Sequence, residues 1–155
     1  MNDLQPTEVE REALTRVIDH ACALAEQKAL PVFAAAVVID GEVIALSGNQ
    51  VSETCDPSRH AEVVAISEAA MALGRADLSG ATLVASMQPC EMCLAAMRWA
   101  GIDRLVFAET QERAPKFFQF PDLGIADFHR ASGGDFSWAG GIGADRVAHI
   151  YEGGR

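Results

Sequence analysis

Two short runs carry the residue types that bind metal and move protons: His60-Ala61-Glu62 and Pro89-Cys90-Glu91-Met92-Cys93. Cys90 and Cys93 stand three apart, so on a helix both sulfurs project from one face. Pro89 marks a helix start, where the positive end of the dipole favours thiolate, the form that binds zinc. His60 supplies a third ligand. Three protein ligands leave one position of a tetrahedral Zn2+ for water, the catalytic pattern, whereas structural zinc usually closes with four. Zinc lowers the pKa of its water to about 7, which gives a usable nucleophile at neutral pH. Glu62, two residues from His60, need not point at the metal. It is expected to take a proton from that water, pass it to a ring nitrogen and help protonate a departing amine. Hydrolytic deamination of an amidine-like carbon requires that division of labour.

Other uses of these residues are weaker. A redox Cys-x-x-Cys has no need of a His-x-Glu at a second helix start, and no second Cys-x-x-Cys completes a zinc ribbon. Cys55, in the loop before His60, is the candidate for a fourth ligand that would close the site as structural; an inert loop thiol is the simpler reading. Cys22 falls in a helical apolar pattern and reads as a small core residue. His20, His129 and His149 stand in no metal spacing and read as structural or surface residues.

The elements that must position these motifs are visible in the hydropathy pattern. From Thr7 to Ala29, Val9, Leu14, Val17, Ile18, Ala21, Leu24 and Ala25 recur at helical spacing, with Pro31 as a stop. The apolar runs 33–39 and 42–46 flank Asp40-Gly41 and predict a hairpin. Residues 48–59 read as a polar loop. Asp56-Pro57 then reads as the N-cap and first residue of a helix that continues to about Leu73. Residues 81–87 predict a buried strand, 90–100 a helix closed by Gly101, and 104–108 another strand. Beyond Thr110, residues 115–123 are aromatic and irregular, and 133–143 are glycine-rich. Residues 146–151 fit either a last strand or a helix. The order α-β-β-α-β-α-β predicts an α/β fold, a three-layer α/β/α sandwich. That order supplies four strands, and a last one at 146–151 would bring the central mixed sheet to about five, with helices on both faces, in one domain spanning 1–155.

Composition narrows the partners. A chain of 155 residues, half of them hydrophobic and 22% charged, has the profile of an ordinary globular domain. No apolar stretch approaches the roughly 20 residues that span a bilayer. The segment Met1 to Glu12 is polar and acidic, unlike a secretory or transit peptide, so a cytoplasmic location is expected. The net charge is −10, with scattered Lys and Arg. That balance counts against nucleic acid, which calls for a basic stripe, and suits a small uncharged substrate.

Taken together, the two motifs resemble those of the cytidine and deoxycytidylate deaminase superfamily, in which His-x-Glu and Pro-Cys-x-x-Cys form the zinc signature. The element order from residue 10 to 108 is also similar, so the resemblance covers roughly two-thirds of the chain. It implies one Zn2+ held by His60, Cys90 and Cys93, Glu62 as the catalytic acid–base, and a homodimer. His60 argues against the small cytidine deaminases, which use Cys at that position. The stretch 56–62 looks like the guanine and tRNA adenosine branches, and Cys90 to Leu94 followed by Trp99-Ala100 is similar to the guanine branch. From that branch come four implied substrate contacts: Trp99 lining the pocket, Phe33 packing on the base, Asn49 reading the ring, and the Ala61 backbone N–H. Plain core packing competes for Phe33 and Trp99. A guanine-like purine, as base, nucleoside or analogue, is therefore the favoured substrate. A cytosine-type base deaminase, a tRNA adenosine deaminase and a non-catalytic zinc-binding module remain alternatives. Two departures stand out. Gln88 replaces the Glu or Ser common before the Pro-Cys motif, and the tail after Thr110 follows no branch. Phe117, Phe118, Phe120, Asp122, Asp127 and Trp138 are its candidates for capping the pocket.

Overall fold

The hairpin expected at Asp40-Gly41 forms one edge of a five-stranded sheet. The computed structural model describes residues 4–152; the ends of the expected 1–155 domain lie outside the described residues. Strands β1 (Ala34–Ile39) and β2 (Glu42–Gly48) pair antiparallel, and β1 pairs antiparallel with β3 (Thr82–Met87). Strand β3 runs parallel to β4 (Arg104–Glu109), and β4 to β5 (Ser137–Ala139). Asp40 (φ 52°) and Gly41 (φ 78°) both take the left-handed conformation that a tight two-residue hairpin turn demands.

Alternate residues of β1 serve two cores, as a period of two requires. On one face, α1 (Glu8–Gln27) and α6 (Ala144–Tyr151) pack Leu14, Val17, Val147 and Tyr151 with Ala34, Ala36, Val84 and Val106. On the other, α3 (Ala61–Leu73) and α4 (Glu91–Trp99) pack Ala65, Ala69, Leu94 and Met97 with Ala35, Val37, Leu83 and Phe107. Strands buried on both faces read as near-continuous apolar runs: β1 is apolar throughout, β3 is interrupted by Thr82 and Ser86, and β4 is apolar between Arg104 and Glu109. The three-layer mixed-sheet architecture is therefore the one expected. Among the described residues, no helix is long and apolar enough to cross a membrane.

Three features differ from expectation. The helix carrying the His-x-Glu motif begins at Ala61, with His60 as its N-cap, not at Asp56-Pro57. The Asp56 carboxylate is taken up locally by the Ser58 N–H and hydroxyl (2.9 and 2.6 Å), a turn that competes with helix capping. A four-residue helix, α2 (Val51–Thr54), precedes it and ends at Cys55 in the left-handed conformation. In the tail, α5 (Ile125–Ala131) and β5 were not expected, and 146–151 proves helical. The glycine-rich stretch has a packing reason at Gly140, where a Cβ would collide with the Phe107 ring.

One polar cluster ties α1 to the sheet. Glu10 and Thr7 form a capping box (2.8 and 3.2 Å), and the same carboxylate accepts from Arg104 (2.8 and 2.9 Å) and from the Thr82 hydroxyl (2.6 Å). Burial alone would raise the Glu10 carboxyl, but these bonds outweigh it and bring it to about 2 from 4.5. A lowered folded-state pKa stabilises fully above the unfolded value and is lost as pH falls through about 2. Glu10→Gln is expected to cost about 2 kcal/mol at pH 7. That is less than for a fully buried pair, because the Arg104 side chain is 35% exposed. Urea unfolding at pH 7 and pH 3 measures it: the gap between the two proteins should narrow at pH 3, and a constant gap would refute the linkage.

Candidate active site

The chain reaches the site twice, each time at a helix start. His60 is the N-cap of α3; Cys90 is the N-cap of α4 and Cys93 lies in its first turn. The His60 side chain makes no cap hydrogen bond to α3, which leaves its imidazole for other work. The Cys90 sulfur lies 3.5 Å from His60 Nδ1, the Cys93 sulfur 3.6 Å from the same nitrogen, and the two sulfurs are 3.7 Å apart. A tetrahedral ion with Zn–S about 2.3 Å and Zn–N about 2.0–2.1 Å needs its ligand atoms roughly 3.6–3.8 Å apart. The three residues fit zinc on distance and on donor type. Among the described residues they form the group with metal-ligand spacing, and Cys55, exposed at the end of α2, is not part of it.

The electrostatics suit a bound cation. Hydrogen bonding from Cys93 holds the Cys90 thiol at about 4, with burial opposing and His60 assisting. The Cys90 hydrogen bond raises the His60 imidazole, and the same partner together with burial pushes Cys93 up. Glu62, 4% exposed, stands outside the ligand group. Burial raises its carboxyl to about 7 from 4.5, against the lowering effect of a hydrogen bond with Cys93.

His60, Glu62 and Cys90 open into a cavity of about 360 Å³. Phe33 and Asn49 line it. The Asn49 side-chain oxygen accepts the Phe33 backbone N–H at 2.9 Å, so its amide presents its N–H groups. That narrows the expected donor-plus-acceptor reading of Asn49. Ala61 is fully buried and is not among the residues that line the cavity, so the structure does not bring its implied backbone N–H contact to the wall. As the first helical residue, its N–H has no partner within α3. Trp99 does not line the cavity and is 91% exposed. The reason is helical geometry: Trp99 follows Cys93 by six residues, roughly 9 Å along the axis of α4.

The tail supplies the rest of the wall. Lys116, Phe117, Phe118 and Gln119 line the cavity, whereas Phe120 is 58% exposed and Trp138 packs with His129 and Phe136. Asp122 is not among the lining residues, and Asp127 caps α5 by accepting the Gly124 N–H. Pro31, Val51, Ser52 and Met87 also contribute to the wall without having been singled out in the sequence. Gln88 lines the cavity too, and its side-chain oxygen accepts the Gln111 N–H at 3.0 Å. Its polar type at the end of an apolar strand was the available signal.

This geometry can be set beside known proteins. Residues 8–109 match the cytidine and deoxycytidylate deaminase zinc-binding region. The chain is 41% identical over 93 residues to the tRNA-specific adenosine deaminase of Agrobacterium fabrum, covering 56% of this chain and 61% of that protein. It is 42% identical over 76 residues to the guanine deaminase of Bacillus subtilis, covering 49% of each. The match thus spans about half to three-fifths of the length of these relatives. A structure from work on A-to-I editing by tRNA:A34 deaminases superposes with a TM-score of 0.76 at 31% identity, covering 90% of this chain and 98% of that one. With the matched region holding both motifs, the chain belongs to the family of the cytidine and deoxycytidylate deaminase zinc-binding region, with one zinc per chain for which His60, Cys90 and Cys93 are the cluster at ligand spacing.

Proposed function

We propose that the protein is a hydrolytic deaminase of a small amino-substituted ring, with a guanine-like purine base or analogue in first place. One observation carries this reading: Glu62, buried and outside the ligand group, shares an aromatic-walled cavity with His60 and Cys90. Zinc, when bound, supplies water acidic enough to act as a nucleophile near neutral pH. Glu62, in the same cavity, is placed to accept a proton and return it to the ring and the leaving amine. Phe33 and Phe117 offer faces and edges to a flat ring, the usual apolar lining of a small-molecule site. Asn49, its oxygen committed to Phe33, donates to a ring carbonyl or an unprotonated ring nitrogen.

A second reading, tRNA adenosine editing, is favoured by the Agrobacterium relative and by the A34 deaminase structure. The net charge of −10 opposes it, and among the described residues lining the cavity Lys116 is the one lysine or arginine. Comparing kcat/KM across guanine, cytosine, adenine, their nucleosides and a tRNA anticodon stem-loop separates the readings. Turnover of a free purine with none on the stem-loop is the expected result; turnover of the stem-loop alone would replace the first reading with the second.

The exposed Trp99 fits a different role. Met92, Ala95 and Trp99 follow one another at i, i+3 and i+7 on the outer face of α4, and Met71 of the adjacent α3 is 76% exposed. Apolar surface of this kind suits a second copy of the chain. Sedimentation velocity should show two chains for the wild type and one for Trp99→Ser; an unchanged mass would exclude this face as the contact.

A further inference from the structure

We infer that Tyr151, on the last helix and outside the cavity wall, is a positioning residue: it holds the Phe33 ring in the plane that shapes the ring-binding pocket. The inference rests on the deaminase reading of that pocket. Tyr151 stacks on Phe33 with centroids 5.3 Å apart and planes 10° from parallel. Phe117 meets both rings edge-on, at 5.3 Å and 5.9 Å. Phe33 and Phe117 line the cavity, whereas Tyr151 is fully buried behind them.

The hydroxyl acts on the same segment as the ring. Tyr151 Oη lies 2.7 Å from the hydroxyl of Ser86, and Ser86 Oγ accepts the backbone N–H of Ala34 at 3.0 Å. Ala34 directly follows Phe33, and Ser86 directly precedes Met87, another lining residue. Ser86 is fully buried within β3, where every neighbour along the strand is buried as well. A hydroxyl at such a point needs partners, and Ala34 and Tyr151 are those partners. The helix that carries Tyr151 is itself fastened. Arg113 reaches Glu109 of β4 (3.1 Å), Asp145 in the first turn of α6 (3.0 Å) and Glu152 just past its end (2.9 Å). The last helix thus delivers one ring to the back of the pocket and is pinned at both ends while it does so.

Two roles are folded together in this tyrosine, and substitution separates them. Tyr151→Phe keeps the stack and loses the Ser86 bond, so its melting temperature should fall while KM stays within about twofold of wild type. Tyr151→Met keeps most of the buried bulk but loses the flat ring. Its KM for guanine should rise about tenfold, with kcat and zinc content little changed; aromatic pairs have the strength to produce such a change. Val147→Ala loosens the same helix while keeping the Tyr151 ring and should leave KM alone. If Tyr151 acts through Phe33, the double variant Phe33→Leu/Tyr151→Met should have the KM of Phe33→Leu by itself. A KM unchanged in Tyr151→Met, raised equally in Val147→Ala, or fully additive in the double variant would overturn the inference. If wild type turned over no ring, the deaminase reading would fail independently. A crystal structure of Tyr151→Met would then decide the positioning claim: a turned Phe33 ring supports it, and an unmoved ring overturns it.

Discussion

Glu62→Gln is expected to keep its zinc and its fold and to lose turnover by about 10²–10⁴-fold, the range that a positioned acid–base group contributes. The amide preserves the shape of a side chain that is only 4% exposed, so packing is not the variable being changed. Proton transfer is. The same substitution has a second expected signature in protein stripped of zinc by a chelator. Burial raises the Glu62 carboxyl to about 7 from 4.5, so the folded chain holds its proton more tightly than the unfolded chain. Between those values, rising pH favours the unfolded state, the reverse of the Glu10 case. Glu62→Gln should therefore match wild type in stability near pH 4 and exceed it at pH 8. Equal stabilities at both pH values would show that the carboxyl carries no burial cost.

The second large effect is expected at the metal ligands. Cys93→Ser, which alters a fully buried sulfur 3.6 Å from His60 Nδ1, should cut bound zinc from one per chain to below about a tenth, since thiolate is the donor zinc favours in such a set. An ion that binds only the folded state at a thousand times its Kd adds about 4 kcal/mol of stability. For a domain of this size that corresponds to a melting shift on the order of 10 °C. Cys55→Ser should change neither zinc content nor melting temperature. Loss of zinc in Cys55→Ser would mean a fourth protein ligand and a closed site, and the reaction proposed here would have no place to occur.

The metal chemistry was legible because residue type and spacing dictate it. A His-x-Glu and a Pro-Cys-x-x-Cys need no tertiary detail to be read as ligands plus a proton carrier, and the structure brings the three ligand atoms to zinc distances. The frame was legible for a similar reason. Helical periodicity in α1 and the Asp40-Gly41 turn are local signals that packing does not override. What escaped depends on non-local competition. Asp56 has the chemistry of an N-cap, yet Ser58 takes its carboxylate and the helix begins at Ala61. Trp99 has the type of a pocket residue, and only the fold shows that it is exposed on α4, away from the cavity wall. Strand β5 is three residues long and α5 has no buried residue, so neither produces a periodic pattern. Tyr151 gave no sign of its stack on Phe33, because the two rings lie 118 positions apart in sequence.

The most direct measurement is ammonia release from guanine by purified protein in three states: zinc-loaded, zinc-stripped, and restored with one equivalent of zinc per chain. Release in the first state, its loss in the second and its return in the third are the predicted results. Release that survives stripping, or none from guanine or any other amino-substituted base with zinc fully bound, would contradict the assignment of His60, Cys90, Cys93 and Glu62 to a deaminase site.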